Sequence, residues 1–137
     1  MLRNKSNKVS IYYSDGYTIM RNPSVYGGGY VICNEKGEVL KHEVVEKQGL
    51  TNNEAELLGV YETLKLCAPF SKIIIDSMTI FYWVRSGKPK ARKDLTLICS
   101  EAKRLKEEKK IEIEWKKRDF NLAGIFIEKM QFENKFL

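Results

Sequence analysis

The chain opens on an apolar and aromatic tract, Val9-Ser10-Ile11-Tyr12-Tyr13-Ser14, that reads as a β-strand, and Tyr17 to Asn22 follows as a polar and aromatic loop. Val25 to Cys33 reads as a second strand, entered through Gly27-Gly28-Gly29, and Asn34-Glu35-Lys36-Gly37 is a turn signal. Glu38 to Glu46 alternates as the return strand, so the first third of the chain predicts an antiparallel meander. The glycine triplet lacks the Lys-Ser or Lys-Thr that a phosphate loop needs after it, and is read as a β-bulge.

Beyond residue 50 the period changes. Thr51-x-x-Glu54 is a capping box in front of a helical stripe, Leu57, Val60, Tyr61, Leu64 and Ala68, which Pro69 stops. Ile73-Ile74-Ile75 is a continuous apolar run, the mark of a strand covered on both faces and therefore inside a sheet. Ser77 to Arg85 predicts a short helix ended by Gly87, and Lys88-Pro89-Lys90-Ala91-Arg92-Lys93 is a basic connector. Leu95 to Glu108 predicts an amphipathic helix, Ile111 to Trp115 a last strand, and the chain is helical again from Asn121. The order β-β-β-α-β-α-α-β-α predicts an α/β fold: a five-stranded mixed sheet, three antiparallel strands and then crossovers, flanked by helices.

At 137 residues the expectation is one domain, 1–137, able to bury roughly two-thirds of its unfolded surface without disulfides or a structural metal. Hydrophobic residues make up 43% and charged residues 31%, and no apolar run nears the ~20 residues of a membrane span, so no membrane partner is expected. The basic start, Met1 to Lys8, leads into a strand rather than a signal-like apolar core, which points to the cytoplasm. Cys33, Cys67 and Cys99 are widely spaced in apolar surroundings and read as reduced core residues. The formal charge of +6 favours a polyanionic partner such as nucleic acid, and with no heptad run a monomer is expected.

Several carboxylates stand where a structural role rewards them little. Asp15 follows the first strand and precedes Gly16; alone, that pair is most often a turn. Glu54 and Glu56 share the first turns of one helix, where the dipole favours both, but Glu56 borders the buried stripe and is the better ligand. Asp76 closes the apolar strand; it could cap the next helix, but the end of a central strand is where an open α/β sheet presents its functional groups, so Asp76 belongs in the candidate site. Hard oxygen ligands without His or Cys favour Mg²⁺, with Mn²⁺ as substitute, and suit phosphodiester cleavage by a two-ion scheme with the ions about 3.5–4 Å apart.

Strand-Asp15-Gly16, Thr51-Asn52-Asn53-x-x-Glu56-Leu57, strand-Asp76-Ser77 and Asn121-Leu122-Ala123-Gly124 resemble type 1 ribonuclease H in residues, spacing and order, over nearly the whole chain. The resemblance implies a ribonuclease H-like fold and a Mg²⁺-dependent endonuclease that cuts the RNA strand of an RNA·DNA hybrid. It makes Asp15, Glu56 and Asp76 catalytic metal ligands, with Asp15 bridging two ions in the presence of substrate. It also implies substrate contacts from Gly16, Thr51, Asn52, Asn53 and Ser77, and phosphate contacts from Lys88, Lys90, Arg92 and Lys93.

Two departures stand out. The family's fourth carboxylate, at the start of the last helix, is replaced here by Gly124; Glu128, one turn on, is the expected substitute as metal ligand and catalytic residue, with Asp119 as rival. The family's loop histidine also has no equivalent, because the single His42 lies in the third strand and reads as structural or solvated. These departures support a second expectation, a weak or silent ribonuclease H-like module that binds nucleic acid. A third, a DNA nuclease on the same fold, is opposed by Thr51-Asn52-Asn53.

Overall fold

The computed structural model describes residues 9–134; the basic start at residues 1–8 lies outside them. Five strands and four helices follow in the order expected: β1 (Ile11–Thr18), β2 (Gly28–Asn34), β3 (Val39–Val45), α1 (Asn52–Leu66), β4 (Lys72–Ile75), α2 (Met78–Ser86), α3 (Thr96–Lys109), β5 (Glu112–Trp115) and α4 (Leu122–Asn134). The sheet order is β3-β2-β1-β4-β5. β1, β2 and β3 pair antiparallel as hairpins allow, whereas β4 and β5 join β1 in parallel through helical crossovers. β4, with its three isoleucines, lies between β1 and β5, where a strand covered on both faces belongs.

Each face of the sheet has its own core. Leu57, Val60 and Leu64 of α1 pack with Ile73 and Ile75 of β4, Ile80 and Val84 of α2, and Cys99 and Ala102 of α3. On the other face Tyr17, Val31 and Cys33 meet Ala123 and Ile127 of α4. The three cysteines are buried and unpaired, as expected. Burying a side chain of this size contributes about 1.5–3 kcal/mol, so both helical layers are held by ordinary apolar burial. Among the described residues no helix is long and apolar enough to cross a membrane.

Two local expectations are corrected. The first strand does not stop at Ser14: it runs to Thr18, because β2 pairs with it from Tyr12 to Thr18 and absorbs Asp15 and Gly16 into the ladder. The glycine triplet is not a bulge; the register shift between β2 and β3 falls at Ile32/Cys33. The triplet serves close approach instead, since a Cβ on Gly28 would stand 2.0 Å from the Tyr17 carbonyl oxygen, and Gly27 has a positive φ of 91°. β2 accordingly begins at Gly28 rather than Val25.

Candidate active site

The parallel register of β1 and β4 aligns Tyr13 with Ile74, which carries Asp15 toward Asp76 at the point where β4 stops. β1 continues past that point, paired only with β2, so a crevice opens at the carboxyl end of β4. Asp15 is therefore a mid-strand residue opposite Val31, not a turn residue. Alternation along β1 turns Tyr13, Asp15 and Tyr17 toward α4, and Gly16 toward α1. A Cβ on Gly16 would lie 2.5 Å from the Glu56 backbone nitrogen, so only glycine lets the start of α1 settle onto β1. That approach brings Glu56 to the other two carboxylates.

Asp15, Glu56 and Asp76 each offer one carboxylate oxygen, and the three oxygens lie within 4.8 Å of one another. With Ser14 and Ser77 they line a cavity of ≈ 10 Å³, room for one water-sized species. The Asp15 and Asp76 side chains are only 2% and 8% exposed. Burial and the neighbouring Asp76 push the Asp15 carboxyl well above the usual carboxylate range, against the pull of Arg118. Burial, Asp15 and Asp76 raise Glu56 likewise. Asp15 Oδ2 is buried and accepts no well-directed hydrogen bond. Converging, desolvated oxygens of this kind are costly for a fold to hold, and the all-oxygen donor set fits a hard divalent cation such as Mg²⁺ or Mn²⁺.

The residues around the carboxylates are held in place. Asn121 is fully buried; its Nδ2 donates to the Ser14 carbonyl at 3.0 Å and to Asp76 Oδ2 at 2.9 Å. Its Oδ1 accepts from the backbone N–H of Ala123 at 3.0 Å and Gly124 at 3.3 Å, so one amide caps α4 and orients a carboxylate. Trp115 Nε1 donates to the Asp76 carbonyl at 3.0 Å. Ser77, not Asp76, is the cap of α2, accepting from the Ile80 N–H at 3.1 Å.

Glu128 is not gathered into the cluster. Its side chain is 61% exposed and accepts from Arg118 Nε at 3.0 Å. Arg118 Nη1 in turn stands 3.1 Å from Asp15 Oδ2 and 3.7 Å from Asp76 Oδ2. Asp119 is exposed on the short 3₁₀ turn Arg118–Phe120. A Cβ on Gly124 would lie 3.0 Å from Asp15 Oδ2 and 3.5 Å from Asp76 Oδ2, so this position borders the carboxylates directly. The parts played by Arg118 and Asn121 were not read from the sequence. Asn121 did carry a cap signal ahead of an apolar helix, whereas Arg118 is one cation in a basic run and carries none.

Thr51 caps α1, its hydroxyl accepting from the Glu54 N–H at 3.1 Å, and also accepts from Arg92 at 3.0 Å. Asn52 Oδ1 accepts from the Thr18 hydroxyl at 2.8 Å, and Asn53 is half-buried beside it. Glu54 is buried and paired with Lys47 and Arg92, so it is a structural anchor rather than a member of the cluster. Lys88 and Lys90 are exposed and line an open groove with Met78, Tyr82 and Trp83. Trp83 is buried in the core and Tyr82 is 52% exposed, so only Tyr82 faces outward. His42 is exposed, with its Nε2 2.7 Å from the Tyr17 hydroxyl.

The strand order and the three gathered carboxylates define a ribonuclease H-like α/β protein. The family model described as reverse transcriptase-like matches residues 14–125, and the chain belongs to that family. Solved structures share the fold. The RNase H1 of the halophilic archaeon Halobacterium salinarum is 17% identical, with a TM-score of 0.67 over 93% of this chain and 99% of that one. The N-terminal RNase H domain of rv2228c from Mycobacterium tuberculosis is 24% identical, with a TM-score of 0.63 over 85% and 92%. LC11-RNase H1, isolated from compost and solved in complex with an RNA/DNA hybrid, is 24% identical, with a TM-score of 0.59 over 82% and 88%. No curated protein sequence matches the chain.

Proposed function

We propose that this chain is a metal-dependent endoribonuclease that hydrolyses the RNA strand of RNA·DNA hybrids. The observation that carries the reading is the convergence of the carboxylate oxygens of Asp15, Glu56 and Asp76, whose mutual repulsion one exposed guanidinium and the Asn121 amide only partly offset. These three would hold a divalent cation such as Mg²⁺, and Asp15 interacts with both of the other carboxylates. Bound divalent ions supply charge neutralisation at the phosphate and a lower pKa for the attacking water. Asn121 keeps one lone pair of Asp76 engaged and so fixes the direction of the other oxygen. Glu128 is the candidate fourth ligand, and reaching the cluster requires it to release Arg118.

Substrate is held by the rims of the crevice. Asn52, Asn53 and the backbone around Gly16 sit beside Glu56 and are suited to ribose 2′-hydroxyls in the shallow groove of the hybrid. Ser77 stands next to Asp76, and beyond it Lys88 and Lys90 lie along the groove beside Tyr82, placed for phosphates of the DNA strand. Arg92 is already engaged by Thr51, Glu54 and Asp94, so it shapes the connector rather than waiting for phosphate.

A second reading, a silent binding module, is favoured by the ion pair of Arg118 with Asp15 and the glycine at 124. Cleavage of a labelled RNA·DNA hybrid, beside matched RNA·RNA and DNA·DNA duplexes, in Mg²⁺, Mn²⁺ and EDTA separates the two. Metal-dependent cutting of the hybrid's RNA strand alone is the expected result; hybrid binding without cutting in any metal would establish the silent module.

A further inference from the structure

We propose that Arg118 is a built-in counter-cation of the carboxylate cluster, which a divalent metal must displace from Asp15 and Asp76, so that this residue sets the metal affinity of the site. The proposal rests on the reading of Asp15, Glu56 and Asp76 as metal ligands. The guanidinium Nη1 lies 3.1 Å from Asp15 Oδ2 and 3.7 Å from Asp76 Oδ2, two of the oxygens a metal would take. A guanidinium and a divalent ion cannot share those oxygens without like-charge repulsion at contact distance.

The contact is built for exchange rather than permanence. Asp15 Oδ2 accepts no well-directed hydrogen bond, so Arg118 neutralises it by proximity and not by the bidentate fork that makes such pairs strong. The backbone of Arg118 is fixed in its 3₁₀ turn, where its carbonyl accepts from the Asn121 N–H at 3.0 Å. Its Nε is held at 3.0 Å by Glu128, which is 61% exposed and gives the guanidinium a second anion toward solvent. Leaving the carboxylates therefore needs only side-chain rotation about a tether. Gly124 borders the arrangement: a Cβ there would stand in ordinary contact, 3.6 Å, with Arg118 Cζ and 3.0 Å from Asp15 Oδ2, which would have to yield a few tenths of an ångström.

The test is titration of the full chain with Mn²⁺ by calorimetry, without nucleic acid, at one pH and ionic strength. Arg118→Gln should bind Mn²⁺ about tenfold more tightly than the parent, the size of an ordinary coupling between two sites. Arg118→Lys keeps the charge and should stay within about threefold of the parent. Thermal unfolding with and without Mn²⁺ checks that each variant folds, and the Mn²⁺-induced rise in Tm should be larger for the glutamine variant. Unchanged or weaker Mn²⁺ binding by a folded Arg118→Gln overturns the proposal while leaving the nuclease reading to the cleavage assay. Absence of Mn²⁺ binding by every form, the parent included, overturns both.

Discussion

Glu54 and Glu56 stand two residues apart on the first turns of α1, yet they live in opposite electrostatic worlds. Glu54 is 5% exposed and faces two cations, Lys47 and Arg92. Glu56 faces two carboxylates, Asp15 and Asp76. The first arrangement ties the loop before α1 and the basic connector to one helix start; the second leaves charge unbalanced at the end of a central strand. The difference teaches that burial alone does not mark a functional carboxylate. What marks it is crowding with like charges that its partners do not fully balance, as the raised pKa values of Asp15 and Glu56 report.

The largest expected break in that contrast comes from the unbalanced side. Asp76→Asn removes a ligand charge without changing shape, and should lower hybrid cleavage in Mg²⁺ by about a thousandfold or more while keeping hybrid binding, read by labelled-hybrid cleavage and by gel shift. Unchanged turnover would remove Asp76 from the site.

Neutralising the two glutamates in turn should give opposite results. Glu54→Gln removes the buried charge shared by Lys47 and Arg92, leaving Arg92 to Asp94 and Thr51, and should cost about 1 kcal/mol, a fall in Tm of roughly 3–5 °C, with Mg²⁺-dependent cleavage retained below the melt. Glu56→Gln relieves repulsion and should leave Tm in EDTA equal or higher at pH 8, with cleavage lost. Two destabilised variants with equal loss of cleavage would erase the distinction between these residues.

The pH dependence sharpens the contrast further. Asp15 and Glu56 start from ordinary values of 3.8 and 4.5 and are raised in the folded chain to about 7 and about 8. Between those limits the folded state holds more protons than the unfolded one, so stability should fall as pH rises from about 4 to about 8. Mg²⁺ held by the triad would take the place of the protons and should flatten the slope. Melting curves in EDTA and in Mg²⁺ across pH 5 to 8 check this, and equal slopes in both would argue against metal at the triad.

A smaller effect is expected at Gly124. Gly124→Asp would place a fourth carboxylate beside Asp15 and Asp76, where the neighbouring oxygens must yield a few tenths of an ångström. Together with Arg118→Gln it should raise Mn²⁺ affinity several-fold above the single glutamine variant, by the extra ligand charge. Calorimetric titration of the pair reads this directly.

Much of this architecture was legible in the chain because it is local. The alternation of residues 38–46, the Thr51-x-x-Glu54 box and the isoleucine run at 73–75 each act within one element, so spacing alone placed the return strand, α1 and the central β4. Asp15, Glu56 and Asp76 were legible as candidates through the short motifs that carry them, strand-Asp15-Gly16, Thr51-Asn52-Asn53-x-x-Glu56-Leu57 and strand-Asp76-Ser77, and through the family these resemble. Tyr17 and Thr18 were misread as loop because the ladder that extends β1 is made by β2, a partner the local pattern does not contain.

Tertiary structure decided what depends on charge across long separations in sequence. That Glu54 meets Arg92, that Asn121 orients Asp76, and that Arg118 reaches Asp15 are contacts between residues 38 to 103 positions apart, set by the parallel register of β1 and β4 and by α4 packing on the opposite face. Periodicity carries the direction in which a side chain points. Which charge it meets there depends on segments that only folding brings together, and electrostatic energy depends on that distance and on the water excluded from it. The sequence by itself determined the sheet, its layers and a set of acidic candidates; the assembled fold determined which acids are balanced, which are not, and which cation stands among them.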